Sequence, residues 1–176
     1  MRVVVMGVSG AGKSVVATRL AAALGYPFVD GDDLHGEANL AKMARGDPLT
    51  DEDREPWLRR VAAWLRDRPD GGVVACSALR RAYRDALREA GPDVAHLHLD
   101  VPAATLAERM AHRDHFMPTA LLASQLETLE PLATEELGAT ISADAPLDDV
   151  VARCLAAVRA LDAGPVGPDR VAPGSA

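Results

Sequence analysis

The chain has 176 residues, a formal net charge of −7 at pH 7, 48% hydrophobic residues and only 3% aromatic residues. This length allows one domain with a core of Ala, Leu and Val, and the acidic balance argues against a nucleic-acid partner held by broad phosphate neutralisation. No apolar run reaches the roughly 20 residues of a membrane-spanning helix, and the two cysteines lack metal-ligand spacing, so we expect a cytoplasmic protein with reduced thiols and no membrane partner.

Short apolar runs alternate with longer stretches of helical periodicity, which is typical of a parallel sheet covered by helices on both faces. The expected fold is therefore α/β and doubly wound, formed by a single domain at residues 1–162. Residues 163–176 lack periodicity and apolar content, and we expect this tail to be disordered. The predicted strands are residues 2–6, 28–30, 72–76, 95–99 and 139–142. The predicted helices are residues 13–24, 34–44, 51–66, 79–89, 103–111, 119–129 and 147–161.

The first predicted strand ends in a sequence that matches the phosphate-binding pattern G-x-x-x-x-G-K-[ST] at every fixed position. Its glycines let the backbone turn with N–H groups inward, and the following helix adds the positive end of its dipole. Lys13 is expected to reach the β- and γ-phosphates, and the Ser14 hydroxyl to complete the shell of a Mg²⁺ ion. The sequence therefore predicts a nucleoside triphosphate site. The predicted contacts are Gly7, Ser9, Gly10, Ala11, Gly12, Lys13 and Ser14.

Three carboxylates, Asp30, Asp32 and Asp33, follow the second predicted strand. Ligands of doubly wound sheets bind beyond the carboxyl ends of the strands, so we expect these side chains near the bound phosphates. Carboxylates there can order Mg²⁺ through water and accept a hydroxyl proton from an acceptor molecule. We predict that Asp30 contacts the metal and that Asp32 is the catalytic base. The alternative is a solvated turn in which Asp33 caps a helix that starts at Leu34.

A long polar stretch follows between strands two and three, in the region that can fold over a small acceptor. It carries the hydrogen-bond donors Asn39, Lys42 and Arg54, which suit a polyhydroxylated, negatively charged ligand, although each fits a plain helix surface equally well. Thr50 is predicted to cap a helix, with Asp53 at its third position.

The phosphate loop is shared by many enzymes, but the blocks of sequence after it are more specific. Through these blocks the chain resembles the gluconate kinases of the thermoresistant, P-loop type, within the nucleoside-monophosphate-kinase-like P-loop kinases. The resemblance extends from about residue 1 to residue 160. Beyond the loop, the matching blocks are residues 30–35, 39, 42–43, 48–51, 53–54, 56–58, 76–80, 83–85, 87–88, 115–118, 124–125 and 128–131.

The resemblance implies the P-loop kinase fold with a small lid, and ATP- and Mg²⁺-dependent phosphorylation of the 6-hydroxyl of D-gluconate to 6-phosphogluconate. A lid arginine, Arg109 or Arg113, would join Lys13 around the transferred phosphoryl group. Two departures from the family pattern are Gly36, where Pro is usual, and a turn before His115 that is one residue shorter. Relatives are commonly dimers, so a homodimer is also implied. The implied gluconate contacts are Asp32, His35, Asn39, Lys42, Arg54, Ser77, Arg80 and His115.

The carboxylate of gluconate is a planar anion that a guanidinium fork receives best. Arg54, Arg80 and Arg84 are the candidates, and we favour Arg54 and Arg80. The alternative for Arg84 and Arg88 is a solvated helix face.

Two further interpretations stay open at this point. The same scaffold serves kinases for other small acceptors, such as shikimate or a nucleoside monophosphate, and a phosphate loop also occurs in non-catalytic ATP-binding regulatory modules. The adenine-binding residues are not identified, although residues 143–146, after the last strand, are a candidate wall for the base.

Overall fold

The structure is a computed structural model that describes residues 1–45, 47–111 and 119–164. Five strands and seven α-helices occur in these residues, and a 3₁₀ turn at Gly31–Leu34 separates β2 from α2. The strands are β1 (Arg2–Met6), β2 (Phe28–Asp30), β3 (Gly72–Ala75), β4 (Val94–Asp100) and β5 (Gly138–Ser142). The helices are α1 (Lys13–Leu24), α2 (Glu37–Ala44), α3 (Asp51–Arg66), α4 (Arg81–Arg88), α5 (Ala103–Ala111), α6 (Thr119–Thr128) and α7 (Leu147–Asp162).

All five strands are parallel and lie in the order β2-β3-β1-β4-β5, which confirms the predicted α/β sheet. β1 lies at the centre, with Val3 opposite Val73 of β3 on one side and Ala95 of β4 on the other. Because all strands run in one direction, the segments after β1, β2 and β3 meet at one edge of the sheet. The predicted phosphate loop and acidic turn are therefore neighbours.

Alternate residues of the central strand point into two separate cores. Val3 and Val5 pack with buried residues such as Leu20 of α1, whereas Val4 and Met6 pack on the opposite face. The helices supply the rest of both cores mainly through Ala, Leu and Val, as the low aromatic content predicted. No helix within the described ranges is both long and apolar enough to cross a bilayer.

Two helices begin later than their periodicity predicted. The helix expected from residue 34 begins at Glu37, because the Asp30 carboxylate instead accepts the N–H of Asp32 and caps the 3₁₀ turn. Asp33 therefore does not cap this helix, and Gly36 takes the N-cap position in extended conformation. The helix expected from residue 79 begins at Arg81, because Arg80 is extended. The predicted cap at Thr50 is confirmed, since Thr50 and Asp53 form a reciprocal capping box.

Both predictions for Arg84 are wrong, because this side chain neither faces the substrate nor lies on a solvated helix face. Its side chain is fully buried and forms two hydrogen bonds, of 2.7 and 2.9 Å, with the carboxylate of Glu136, which is equally buried. It also donates to the backbone carbonyls of Ala78, Leu79, Glu130 and Pro131. Arg84 therefore ties α4 to the segment before β5.

Arg84→Met should destabilise the protein by at least about 3 kcal/mol, because the charge of Glu136 would stay buried without its partner. The matched change Arg88→Met removes a half-exposed arginine of the same helix and should cost less than about 1 kcal/mol. Urea unfolding of the two variants measures both values. Equal losses in the two variants would contradict this role of Arg84.

The same pair predicts an acid limit of stability. The hydrogen bonds that Glu136 accepts from Arg84 lower the pKa of the Glu136 carboxyl to about 2 in the folded protein. In the unfolded chain the pKa of a glutamate is about 4.3. The pair therefore stabilises the fold fully above the unfolded pKa, and this contribution is lost as the pH falls through the folded pKa.

Candidate active site

The phosphate loop between β1 and α1 has the backbone conformation that its glycines predict. Gly10 and Gly12 have φ angles of 85° and 91°, a left-handed region that residues with a side chain rarely adopt. Gly12 is the N-cap of α1 and offers no side chain to the first-turn N–H groups, so these groups can bind an anion. The loop is therefore preformed for a phosphate.

Lys13 folds back across the loop. Its Nζ donates to the carbonyl oxygen of Val8 at 3.1 Å, which holds the ammonium over the loop. Ser14, in the first turn of α1, is exposed. Its hydroxyl oxygen can coordinate a metal ion or accept a hydrogen bond from a metal-bound water.

Gln125 of α6 is a contact of the phosphate loop that sequence reasoning missed. Its Oε1 accepts the backbone N–H of Ser9 at 2.7 Å. Gln125 stood in one of the family blocks, but nothing in its charge or spacing indicated that it reaches a loop 116 positions away.

A cavity of about 540 Å³ adjoins the loop on the side of α7, within the size range of small-ligand sites. Its walls are the loop backbone, apolar side chains and the segment after β5, including Ala143 and Ala145. Arg109 also lines the cavity, and its guanidinium donates to the carbonyl oxygen of Ala143 at 3.0 Å. The predicted wall at residues 143–146 thus contributes to a cavity that continues from the phosphate loop.

The acidic turn after β2 lies on the other side of the loop. Gly31 is required there, because a Cβ atom would lie 2.6 Å from the carbonyl oxygen of Ala75. Trp57 fixes the turn further by donating its Nε1–H to the Gly31 carbonyl at 2.6 Å. These contacts fix the position of Gly31, and with it the backbone of its neighbours Asp30 and Asp32.

The Asp32 carboxyl lies near both the Asp30 carboxylate and the Lys13 ammonium. Desolvation by the surrounding protein, together with the nearby Asp30 charge, raises the pKa of its carboxyl, and the Lys13 ammonium opposes this rise. The carboxylate nevertheless remains open to the cleft, with 77% of the side chain exposed. It is accessible to an acceptor and close enough to Lys13 to respond to its charge.

His35, Asn39 and Lys42 form one connected group against α3. His35 stacks on Trp57 with ring centroids 4.3 Å apart, and burial lowers the pKa of its imidazole. Asn39 Nδ2 lies 3.2 Å from His35 Nδ1 and donates to the Asp53 carbonyl at 2.8 Å. Nζ of Lys42 lies 2.8 and 2.7 Å from the two carboxylate oxygens of Asp53. These contacts join α2 and the turn before it to α3.

Composition distinguishes Lys42 from most other basic residues of the chain. Lys13 and Lys42 are the only lysines among the 19 basic residues of the chain, and all the others are arginine. An ammonium is a compact donor with three rotatable hydrogens, whereas a guanidinium is a planar fork. Lys13 and Lys42 are therefore the two side chains of this protein that offer an ammonium group.

Arg54 and Arg80 lie at one carboxylate, that of Asp51. Arg80 donates to Asp51 Oδ2 at 2.7 Å, and Arg54 lies 3.8 Å from Asp51 Oδ1. Tyr83 donates its hydroxyl to the same carboxylate, and both guanidinium carbons lie 5.8 Å from its ring centroid. The Tyr83 hydrogen bond and the two arginines lower the pKa of Asp51. We call these four residues the arginine cluster.

Comparisons with known proteins place the chain in a family. The family model described as "AAA domain" matches residues 3–132. The gluconokinase of Gluconobacter oxydans (strain 621H) is 50% identical over 76% of this chain and 77% of its own length. The thermoresistant gluconokinase of Escherichia coli (strain K12) is 42% identical over 89% of this chain and 92% of its own. The chain belongs to the gluconokinase family.

A solved gluconokinase structure agrees with this assignment at the level of the fold. The gluconokinase from Sinorhizobium meliloti 1021 is 48% identical and superposes with a TM-score of 0.84, over 90% of this chain and 91% of that one.

Within this gluconokinase fold, the structure brings most of the predicted site residues to one edge of the sheet. Ser77 takes part through its backbone, since its carbonyl oxygen accepts the N–H of Gly7 at 3.2 Å and links the β3 end to the phosphate loop. Arg109 lies beside the cavity near Ala143, and its catalytic role stays a prediction. Arg113, His115 and most of the predicted lid and tail lie outside the described residues.

Proposed function

We propose that this gluconokinase-family protein transfers the γ-phosphoryl group of ATP to the 6-hydroxyl of D-gluconate, giving 6-phosphogluconate and ADP. The observation that carries the proposal is the placement of the phosphate loop, the Asp32 carboxylate and the arginine cluster at one sheet edge. These three parts match the three chemical groups of the reaction, which are a polyphosphate, a reacting hydroxyl and a sugar-acid carboxylate.

The nucleotide would lie with its phosphates in the loop and its nucleoside in the adjoining cavity. Mg²⁺ would neutralise charge on the β- and γ-phosphates, held by the Ser14 hydroxyl and, through water, by Asp30. Within the described residues, no group of three or more His, Cys, Asp or Glu could hold a metal ion. One hydroxyl, from Ser14, and one water-bridged carboxylate, from Asp30, suit Mg²⁺, which keeps several waters and binds through one or two protein ligands plus substrate phosphates.

Asp32 would orient the 6-hydroxyl and take its proton. The hydroxyl oxygen forms the new bond to the γ-phosphorus, the bond from that phosphorus to the β,γ-bridging oxygen breaks, and ADP leaves. Lys13 and a lid arginine would balance the charge on the transferred group. Because phosphoryl transfer needs alignment more than covalent help, the preformed loop supports this mechanism.

The arginine cluster would bind the gluconate carboxylate. Asp51 already occupies the guanidinium of Arg80, so a second carboxylate would either share the remaining N–H donors or displace Asp51. Arg54 is anchored through a 2.5 Å hydrogen bond to the Leu49 carbonyl, which orients its guanidinium. Lys42 would contact a hydroxyl with the N–H that its pair with Asp53 leaves over, whereas the amide N–H groups of Asn39 already contact His35 and the Asp53 carbonyl, so Asn39 would meet the substrate through its side-chain oxygen.

Arg80→Met should raise KM for gluconate by about tenfold or more while changing KM for ATP less than about twofold, because it removes charge-assisted hydrogen bonds to the carboxylate alone. The control Arg81→Met removes the next arginine, which pairs with Glu135 away from the cluster. Initial-rate kinetics on both substrates measure the split. A rise in KM for ATP alone would refute the placement of the carboxylate.

The reaction itself is tested with a panel of acceptors in a coupled assay for ADP release. Gluconate should be the best acceptor, ahead of shikimate, nucleoside monophosphates and neutral hexoses, and mass spectrometry should detect 6-phosphogluconate. Preference for another acceptor would show that gluconate is not the substrate, and ATP binding without any phosphorylated product in single-turnover conditions would favour a regulatory module.

Cytoplasmic location, the homodimer and the absence of a nucleic-acid partner stay predictions.

A further inference from the structure

The Val8–Ser9 peptide group of the phosphate loop is held from both sides. Its carbonyl, on Val8, accepts the ammonium of Lys13 at 3.1 Å, and its N–H, on Ser9, donates to Oε1 of Gln125 at 2.7 Å. A peptide group is planar, so fixing its N–H also fixes the direction of its carbonyl. Gln125 and Lys13 therefore contact opposite ends of one rigid unit, and the Ala11 N–H also donates to its carbonyl.

The helix that carries Gln125 is itself fixed to the sheet. Leu122, one turn earlier on α6, is buried in the core together with residues of β1 and β4. Beyond the end of α6, Glu130 donates its N–H to the Leu79 carbonyl at 2.8 Å and accepts the N–H of Arg81 at 2.6 Å. The helix that carries Gln125 is thus held at both ends of its last turns, by the core at Leu122 and by the residues next to Arg80 at Glu130.

We propose that Gln125 is a positioning residue for phosphoryl transfer, which sets the place of the Lys13 ammonium by holding the Val8–Ser9 peptide. The inference rests on the proposed function and changes one part of it. Ser9 contributes its N–H to Gln125, and Ala11 donates its N–H to the Val8 carbonyl at 3.3 Å, so the N–H groups of Gly10 and of residues 12–14 bind the phosphates. Hydrogen bonds that share one peptide polarise and strengthen each other, so the two contacts are coupled.

The consequence is different for ATP and for ADP. The loop backbone holds the α- and β-phosphates, whereas Lys13 reaches to the β- and γ-phosphates. Loss of the Gln125 hydrogen bond should therefore impair alignment of the transferred group more than it weakens binding of a diphosphate.

Gln125→Met tests this, because methionine has similar length and flexibility but lacks a strong acceptor. We expect kcat to fall by about tenfold, equivalent to about 1.4 kcal/mol and to the loss of one hydrogen bond, while Kd for ADP changes less than about twofold. Ser124→Ala, on the exposed neighbouring position of α6, is the matched control and should keep the parent kcat.

A double-mutant cycle shows whether Gln125 acts through the Ser9 N–H. Ser9→Pro removes this donor, so adding Gln125→Met to Ser9→Pro should lower kcat no further. Independent, multiplicative losses would overturn the proposal. If Ser9→Pro does not fold, the comparison of kcat with ADP affinity decides.

Hydrogen exchange of the nucleotide-free full chain gives a readout that does not depend on the acceptor. The Ser9 amide should exchange about tenfold faster in Gln125→Met than in the parent. Unchanged exchange, or equal losses in kcat and ADP affinity, would overturn the role of Gln125. A failure of gluconate as acceptor would leave this exchange result intact, so the two failures are distinguishable.

Discussion

Lys13→Ala should lower kcat/KM for ATP by about 10²- to 10³-fold, the range found when one preorganised charge-stabilising donor is removed. The reason is that the ammonium is already held over the loop by the Val8 carbonyl, so binding ATP requires little reorganisation of the side chain. Initial rates at saturating gluconate measure the loss, and titration with ADP measures the accompanying change in affinity.

Arg19→Ala is the control for this change. Arg19 lies on the same helix, is about half exposed and pairs with Asp148, so its removal takes one positive charge from α1 without altering the loop. We expect activity close to that of the parent. If Lys13→Ala bound nucleotide and turned over like the parent, the phosphate site assigned to this loop would be wrong.

Asp32→Asn should lower kcat by about 10²- to 10⁴-fold, since asparagine keeps the shape of the side chain but cannot take the hydroxyl proton. KM for gluconate should change far less, because the arginine cluster and its neighbours are untouched. Asp33→Asn makes the same chemical change one residue later in the same exposed turn and should keep most of the activity. Equal rates for the two variants would remove Asp32 from the mechanism.

The pH profile gives a second test of Asp32. A general base works only when ionised, so the rate should fall as the pH drops through the pKa of Asp32. Since desolvation and the Asp30 charge raise this pKa, the fall should begin at a higher pH than for an ordinary aspartate. The residual activity of Asp32→Asn should lack this acid limb. A limb that persists in the variant would assign the titration to another group.

Features that depend on neighbouring residues in the sequence were predicted well. The phosphate loop follows from eight consecutive residues, and the Thr50–Asp53 capping box spans one helical turn. The order of strands and helices also follows from local periodicity, and the parallel sheet follows from their alternation. These interactions need no knowledge of which distant segments meet.

Features that depend on distant partners were missed or misread. Arg84 was interpreted as a solvated or substrate-facing side chain because its partner Glu136 is 52 positions away and nothing local indicates the pairing. The helix start at residue 34 was wrong because the Asp30 side chain and the Trp57 contact with Gly31 favour a 3₁₀ turn there. Gln125 was placed in a family block without any structural role.

The amino-acid sequence by itself determined the alternation of elements, the phosphate loop and the identity of the acidic and basic groups at the strand ends, because each is encoded within a few residues. Only the tertiary structure decided which of those groups act together. The arginine cluster, the buried Arg84–Glu136 pair and the Gln125–Ser9 hydrogen bond each join segments from different elements. Such contacts need the packing of the two cores to bring both segments together, so their geometry depends on the whole fold.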